Sequence, residues 1–282
     1  MVSNVTQESD APRALGGIIR RHSLRLDGYQ MLEGVPTDAF DPFILFRGRN
    51  LGRRRGFPSR SWAGWRGKVY FHAVGSIPHD GLNSWLASHT WIIWYKRNQV
   101  SGVLDLVWDS TANQSFPVHD PKYVAYRQRT PFRCPVEELD TSNAVPSKLD
   151  LLISTILASS QPRTCPLLEF WTLSVYLKLH SIDTIQGSGK LMGADGGKYG
   201  YMLLDGFEET TFFESEDPYE LLELNFREEF GPEFLGGHPC YSVMLIEWHQ
   251  GVAERRGIGH VVKTEVQSSF APGPTWKGII LG

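Results

Sequence analysis

Cysteine is scarce in this chain. Its 282 residues hold only Cys134, Cys165 and Cys240, with no CxxC pair and no histidine at zinc-ligand spacing around them. An odd, scattered set excludes a disulfide scaffold and favours a reducing compartment. Long apolar runs are also missing. The longest, TWIIWY at 90–95, is far short of the ~20 residues that a membrane-crossing helix needs. The opening stretch MVSNVTQESDAPRALGG lacks the apolar centre of a secretory leader. The expectation is a soluble, cytoplasmic protein with no membrane partner.

The usual catalytic signatures are absent as well. The chain has no GxSxG elbow, no HExxH and no GxGxxG between a strand and a helix. IQGSGKLMG at 185–193 resembles part of a phosphate-binding loop. However, Thr184 stands where the first glycine belongs, and Leu191 replaces the hydroxyl residue that would hold magnesium. A flexible glycine-rich turn is the better reading. His238 lies two residues from Cys240 in GGHPCY, but a nucleophile and its base are matched in space and not by sequence distance. A buried cysteine at a strand start is expected there. No catalytic residue, metal or cofactor is assigned from these patterns.

Acidic residues are missing from one long stretch. Between Pro42 and His79 there is no Asp or Glu, while Arg47, Arg49, Arg53, Arg54, Arg55, Arg60, Arg66 and Lys68 are all basic. From Asp205 to Glu233 the signs reverse, and eleven carboxylates face only Arg227. The net charge of -3 argues against a nucleic-acid binder. The two blocks read first as separately solvated faces. The sharper reading is that they dock on each other or on a partner protein.

Aromatic residues are plentiful, with 9 Trp, 10 Tyr and 15 Phe, and such side chains suit sheet faces and interfaces. Strand-like runs recur between glycines and prolines. They include GKVYFHAVG at 67–75, the hairpin-like pair TWIIWYKRN and SGVLDLVWD, and GKYGYMLLDGF at 197–207. In PLLEFWTLSVYLKLH, Leu167, Trp171, Leu173, Val175, Leu177 and Leu179 fall on alternate positions and define one buried strand face. YSVMLIEWHQGVAERRGIGHVVK reads as strand, turn at Gln250-Gly251 and return strand, and WKGIILG as a last strand.

PYELLELNF at 218–226 is open between a helix capped by Asp217 and a strand. KLDLLISTILASSQ at 148–161 is open between a helix and a buried strand, and 110–147 reads as loop. The fold class is mainly β or α+β, an antiparallel sandwich or barrel-like sheet with one or two short helices. Residues 1–28 are expected to be poorly ordered, and 29–282 to form a single β-rich domain.

Within FPSRSWAGWRGKVYF at 57–71, Trp62 and Trp65 are expected to bury large apolar area where a strand begins, with Gly64 and Gly67 permitting a tight bend. Arg53, Arg54, Arg55, Arg60 and Arg66 are the candidate protein-contact residues. A carbohydrate platform of Trp62, Trp65, Trp91 and Trp94 is disfavoured, because Trp91 and Trp94, three apart on a strand, point to opposite faces.

FPSRSWAGWRGKV, LLEFWTLSVYLKL, YSVMLIEWHQGVAERRGIGHV and WKGIILG, in this order and spacing, resemble the region that follows the HET domain in fungal heterokaryon incompatibility proteins. The similarity runs from about residue 29 to Gly282. It departs at Arg60, where the family commonly has a Trp. No part of residues 1–28 resembles the HET domain, whose signalling or nucleotide-cleaving activity therefore does not transfer to this chain. The resemblance implies a non-enzymatic regulatory or protein-interaction region linked to fungal non-self recognition and programmed cell death. Its implied partner is a protein, such as a HET domain in another chain. The alternatives are a hydrolase or transferase whose site is assembled from distant residues, or a truncated relic without independent function.

Overall fold

The computed structural model describes residues 31–37, 39–48, 51–54, 56–71, 77, 81, 85–86, 89–90, 92–98, 103–107, 165–206, 217–227 and 237–282. The expectations for 1–28, for the loop at 110–147 and for the ambiguous segment 148–161 lie outside the described residues.

Short elements come first. β1 (Met31–Leu32) and β2 (Val35–Pro36) pair around Glu33 and Gly34, both at positive φ. One helical turn, α1 (Phe40–Ile44), follows. Next come β3 (Arg47–Gly48), β4 (Gly52–Arg53), a 3-10 turn at Trp62–Gly64, β5 (Trp65–Arg66) and β6 (Val69–Tyr70). β3 pairs with β6 and β4 with β5, both antiparallel. β7 (Tyr95–Arg97) and β8 (Leu104–Leu106) form the hairpin expected from their sequence.

The long strands are β9 (Leu167–Asp183), β10 (Ser188–Met192), β11 (Lys198–Leu204), β12 (Tyr219–Arg227), β13 (Cys240–His249), β14 (Val252–Val262) and β15 (Thr275–Leu281). The protein is mainly β, built on one large and almost wholly antiparallel sheet. Its strands run β10-β11-β14-β13-β12-β9, and β10 pairs again with β9, so the sheet returns on itself as a ring. At the opposite end β15 bridges β14 and β9, parallel to the first and antiparallel to the second. β7 lies alongside the start of β9.

The hairpin of β13 and β14 turns at Gln250 and Gly251, whose φ values of 50° and 81° are those a tight hairpin requires. PYELLELNF resolves as strand β12, held by β13 on one side and β9 on the other, so tertiary pairing overrides the local helix signals of Asp217 and Pro218. The expected turn at 185–193 needs a correction. Ser188–Met192 is strand β10, because both edges find partners in β9 and β11, and only the residues before it turn. β9 also corrects a simpler picture. Its alternate residues Leu173, Val175 and Leu177 are buried as expected, but so are Leu168, Phe170, Thr172 and Ser174 on the other face.

Both faces are buried because the ring has an inside and a covered outside. Leu191, Gly200, Val261 and Tyr241 form one cross-strand row of the inner face, and Gly189, Met202, Gly259, Val243 and Glu223 the next. Small residues let the narrow interior close: a Cβ on Gly259 would stand 2.2 Å from the Tyr201 carbonyl oxygen. The outer face carries the rows Tyr201, His260, Ser242, Asn225 and Leu203, Ile258, Met244, Leu222. The segments preceding β9 cover part of this outer face. Trp94, for example, packs tilted against Phe170 with ring centres 4.3 Å apart and edge-on to Phe40 at 5.1 Å, and donates its indole N–H to Asp41 Oδ1 at 2.9 Å.

Candidate functional site

The stretch at 57–71 is a structural plug. Trp62 and Trp65 are buried, and their indole N–H groups donate to the carbonyls of Gly34 and Ser59, each at 2.8 Å. A Cβ on Gly64 would stand 2.3 Å from the Pro58 carbonyl oxygen, and Gly67 has φ 125°, so both positions need glycine for the bend. Ser61 caps the 3-10 turn by accepting from the Ala63 N–H at 3.1 Å.

The candidate contact arginines are placed differently from one another. Arg55 lies outside the described residues. Arg66 is exposed, whereas Arg54 and Arg60 are buried. Arg53 donates to the carbonyls of Arg54, Phe57 and Gly64 at 2.7–2.9 Å, with its guanidinium 5.3 Å from the Trp65 ring centre. Arg60 donates to the carbonyls of Pro166 and Leu281, at 2.7 and 3.3 Å, and pairs with Glu33 at 2.7 Å. Burial pushes the Glu33 carboxyl up, against the opposing pull of Arg60 and Cys165. The guanidiniums of Arg53, Arg54 and Arg60 therefore bind the protein's own backbone. Two-residue strands and tight turns leave many carbonyls without ladder partners, and arginine supplies the donors.

Three buried polar groups that the sequence did not single out are more prominent. Arg255 is fully buried. It donates twice to Asp205, at 2.6 and 2.9 Å, and once each to the carbonyls of Ile44 and Phe46, both at 2.6 Å, while stacking 3.6 Å from the Phe46 ring centre. The acidic block thus docks inward at Asp205, whose carboxylate meets Arg255 and whose backbone carbonyl accepts from the Leu51 N–H at 3.2 Å. The second group is His260 with Ser242, Tyr201 and Arg47 on the covered outer face.

The third is Glu223, on the inner face and almost wholly buried, with Oε1 lacking a hydrogen-bond partner. Burial raises its carboxyl well above the ordinary value, with Lys263 pulling the other way, and burial together with Glu223 raises the Tyr241 hydroxyl. A bulge at Leu224 turns Glu223 inward to pair with Val243 and Asn225 outward to pair with Ser242. Both side-chain polar atoms of Asn225 also lack partners. Glu220, by contrast, sits on the outer face with Lys277, Ser174 and Trp248. Burial alone would raise it, but their hydrogen bonds outweigh that and hold it below the ordinary range.

Glu223 gives a signed pH prediction. The unfolded chain ionises this carboxyl near its ordinary 4.5, while the folded chain resists until higher pH. The cost linked to its ionisation is therefore absent below about pH 4, and it grows as pH rises toward the folded value. Glu223→Gln is expected to match the native protein in acid and to exceed its unfolding free energy at neutral pH. Denaturant curves at several pH values measure the difference, and equal stabilities across the range would contradict it.

Cys240 is buried at the start of β13, and its thiol donates to the His238 carbonyl at 3.1 Å. Trp91 lies outside the described residues. Among the described residues no His, Cys, Asp and Glu cluster is arranged to hold a metal, and no helix is long and apolar enough to cross a membrane. No family model, curated protein or solved structure matches the chain.

Proposed function

We propose that this chain is a non-enzymatic protein-interaction region of a heterokaryon-incompatibility-like protein, acting in the cytoplasm in fungal non-self recognition. The supporting observation is spatial. The four segments that carry the resemblance, far apart in sequence, meet in one place. WKGIILG forms most of β15, which joins β14 to β9, the strand of LLEFWTLSVYLKL. In the plug, the Ser59 hydroxyl donates to the Gly282 carbonyl at 3.1 Å and accepts from the Arg255 N–H at 2.8 Å, while Arg60 bonds Leu281. In this reading the resembling pattern marks a scaffold, and these polar contacts at the junction hold the fold.

The partner in this reading is a HET domain supplied by another chain. The test is direct mixing of the purified protein with a purified HET domain, followed by size-exclusion chromatography with light scattering. A complex that weakens as salt rises is expected, since Arg66, the exposed contact arginine, is charged. Separate elution at both low and high salt would overturn the reading. The enzymatic alternative draws on Glu223, a carboxyl that burial raises well above the ordinary range. Hydrolysis of ester or glycoside probes that is lost in Glu223→Gln would favour it.

A further inference from the structure

Where β10 closes the ring between β9 and β11, the outer face is open to solvent. Lys190 pairs with His180 on β9 and with Tyr201 on β11, and Met192, two positions on, pairs with Lys178 and with Lys198. Paired residues share a face, so four basic side chains gather around Met192 on a surface about 10 Å wide. His180, Lys190 and Lys198 are exposed, and Lys178 and Met192 are half-buried. Among the described residues His180, Lys190 and Lys198 have no hydrogen bond, ion pair or ring contact, and Lys178 has only the Phe270 ring, 5.4 Å from its Nζ.

The carboxylates bordering this face are engaged elsewhere. Asp183 accepts from the Ile185 and Gln186 N–H groups at 2.9 and 3.0 Å, Asp195 from the Gly197 N–H at 2.8 Å and from the Tyr199 hydroxyl, and Glu265 from Thr264 Oγ1 at 3.0 Å. The Asp183 bonds also fix the turn from β9 to β10, together with the Gly187 N–H, which donates to the Asp183 carbonyl at 2.8 Å. At its tip stands Ile185, 84 % exposed and the barest large apolar side chain among the described residues. A lone exposed aliphatic group is ordinary. Presented on a fixed turn at the end of a cationic face with an apolar centre, it completes the anatomy of a docking surface: an anchor, an apolar middle and a charged rim.

We propose that the outer face of β9, β10 and β11 docks an acidic face of the partner protein, with Ile185 entering an apolar recess there; this rests on the protein-interaction reading above. The cations surround Met192 instead of tracking a groove, which favours a folded protein over a nucleic-acid strand. A flat lipid surface that took up the tip would leave Lys178 and Lys198 about 14 Å behind the turn. A protein surface can follow both the tip and the face.

Titration of the full chain with a purified HET domain at low salt, read by calorimetry and light scattering, tests this. Lys190→Glu and Ile185→Asp are each expected to weaken the complex about tenfold. Neither should lower the melting temperature, because both side chains are exposed. Lys190→Arg keeps the charge and should bind as the native protein does. No complex with the native protein would overturn the interaction reading and this surface together, whereas a native complex that either weakening variant keeps would overturn the surface alone. Binding to phosphatidylserine vesicles or to a single-stranded oligonucleotide that Lys190→Glu abolishes, with the HET complex unaffected, would overturn it in favour of that ligand.

Discussion

Arg255→Ala is expected to destabilise the protein by about 3–5 kcal/mol, because it leaves Asp205 as a buried charge without its cation. The Ile44 and Phe46 carbonyls lose their donor in the same substitution, and Phe46 loses the plane stacked on it. Chemical denaturation measures the loss. The paired variant Arg255→Met with Asp205→Leu separates the two contributions. It removes both charges, so recovery of much of the stability is expected, while the two carbonyls stay unbonded. If Arg255→Ala were as stable as the native protein, the guanidinium could not be the buried fastener between the ring and α1.

Trp62→Ala is expected to cost a similar ~3–5 kcal/mol, from the cavity left by a buried indole. It also orphans the Gly34 carbonyl, so β1, β2 and the plug should loosen together. Trp62→Phe keeps most of the volume and loses only the N–H, so a smaller loss is expected. Thermal or denaturant unfolding of the two variants gives the order. An unaffected Trp62→Ala would mean an exposed ring and would restore a surface role for the stretch at 57–71.

The sequence displays the large strands well and the buried chemistry poorly, for a physical reason that differs in each case. Hairpin β13–β14 is legible because its turn needs the positive φ that Gln250-Gly251 can adopt, and both flanks are apolar. β12 is ambiguous because a carboxylate followed by proline opens helices and strands alike, and the choice is made by β9 and β13 on either side. The arginines at 53–60 look like a solvated run, since a charge pattern does not reveal where unpaired carbonyls lie. Arg53, Arg54 and Arg60 turn inward to meet them.

Glu223 is hidden in a row of carboxylates, and only the bulge at Leu224, a feature of the pairing, directs it into the ring. Arg255 leaves a faint trace. Two adjacent arginines after Glu254 break the alternation of β14, and in the structure Arg256 is the extra residue between the Leu245–Gly257 and Ile246–Arg255 pairs.

The closing strand sets an order on folding during synthesis. β9 takes neighbours from both directions along the chain: β7, made before it, and β10, β12 and β15, made after it. Because β15 joins β9 across about a hundred or more intervening positions, the junction at Leu168 and Leu281 can form only after β9 to β14 have been made. Until then β9 presents a long apolar edge with unsatisfied backbone groups, the type of surface on which incomplete chains aggregate.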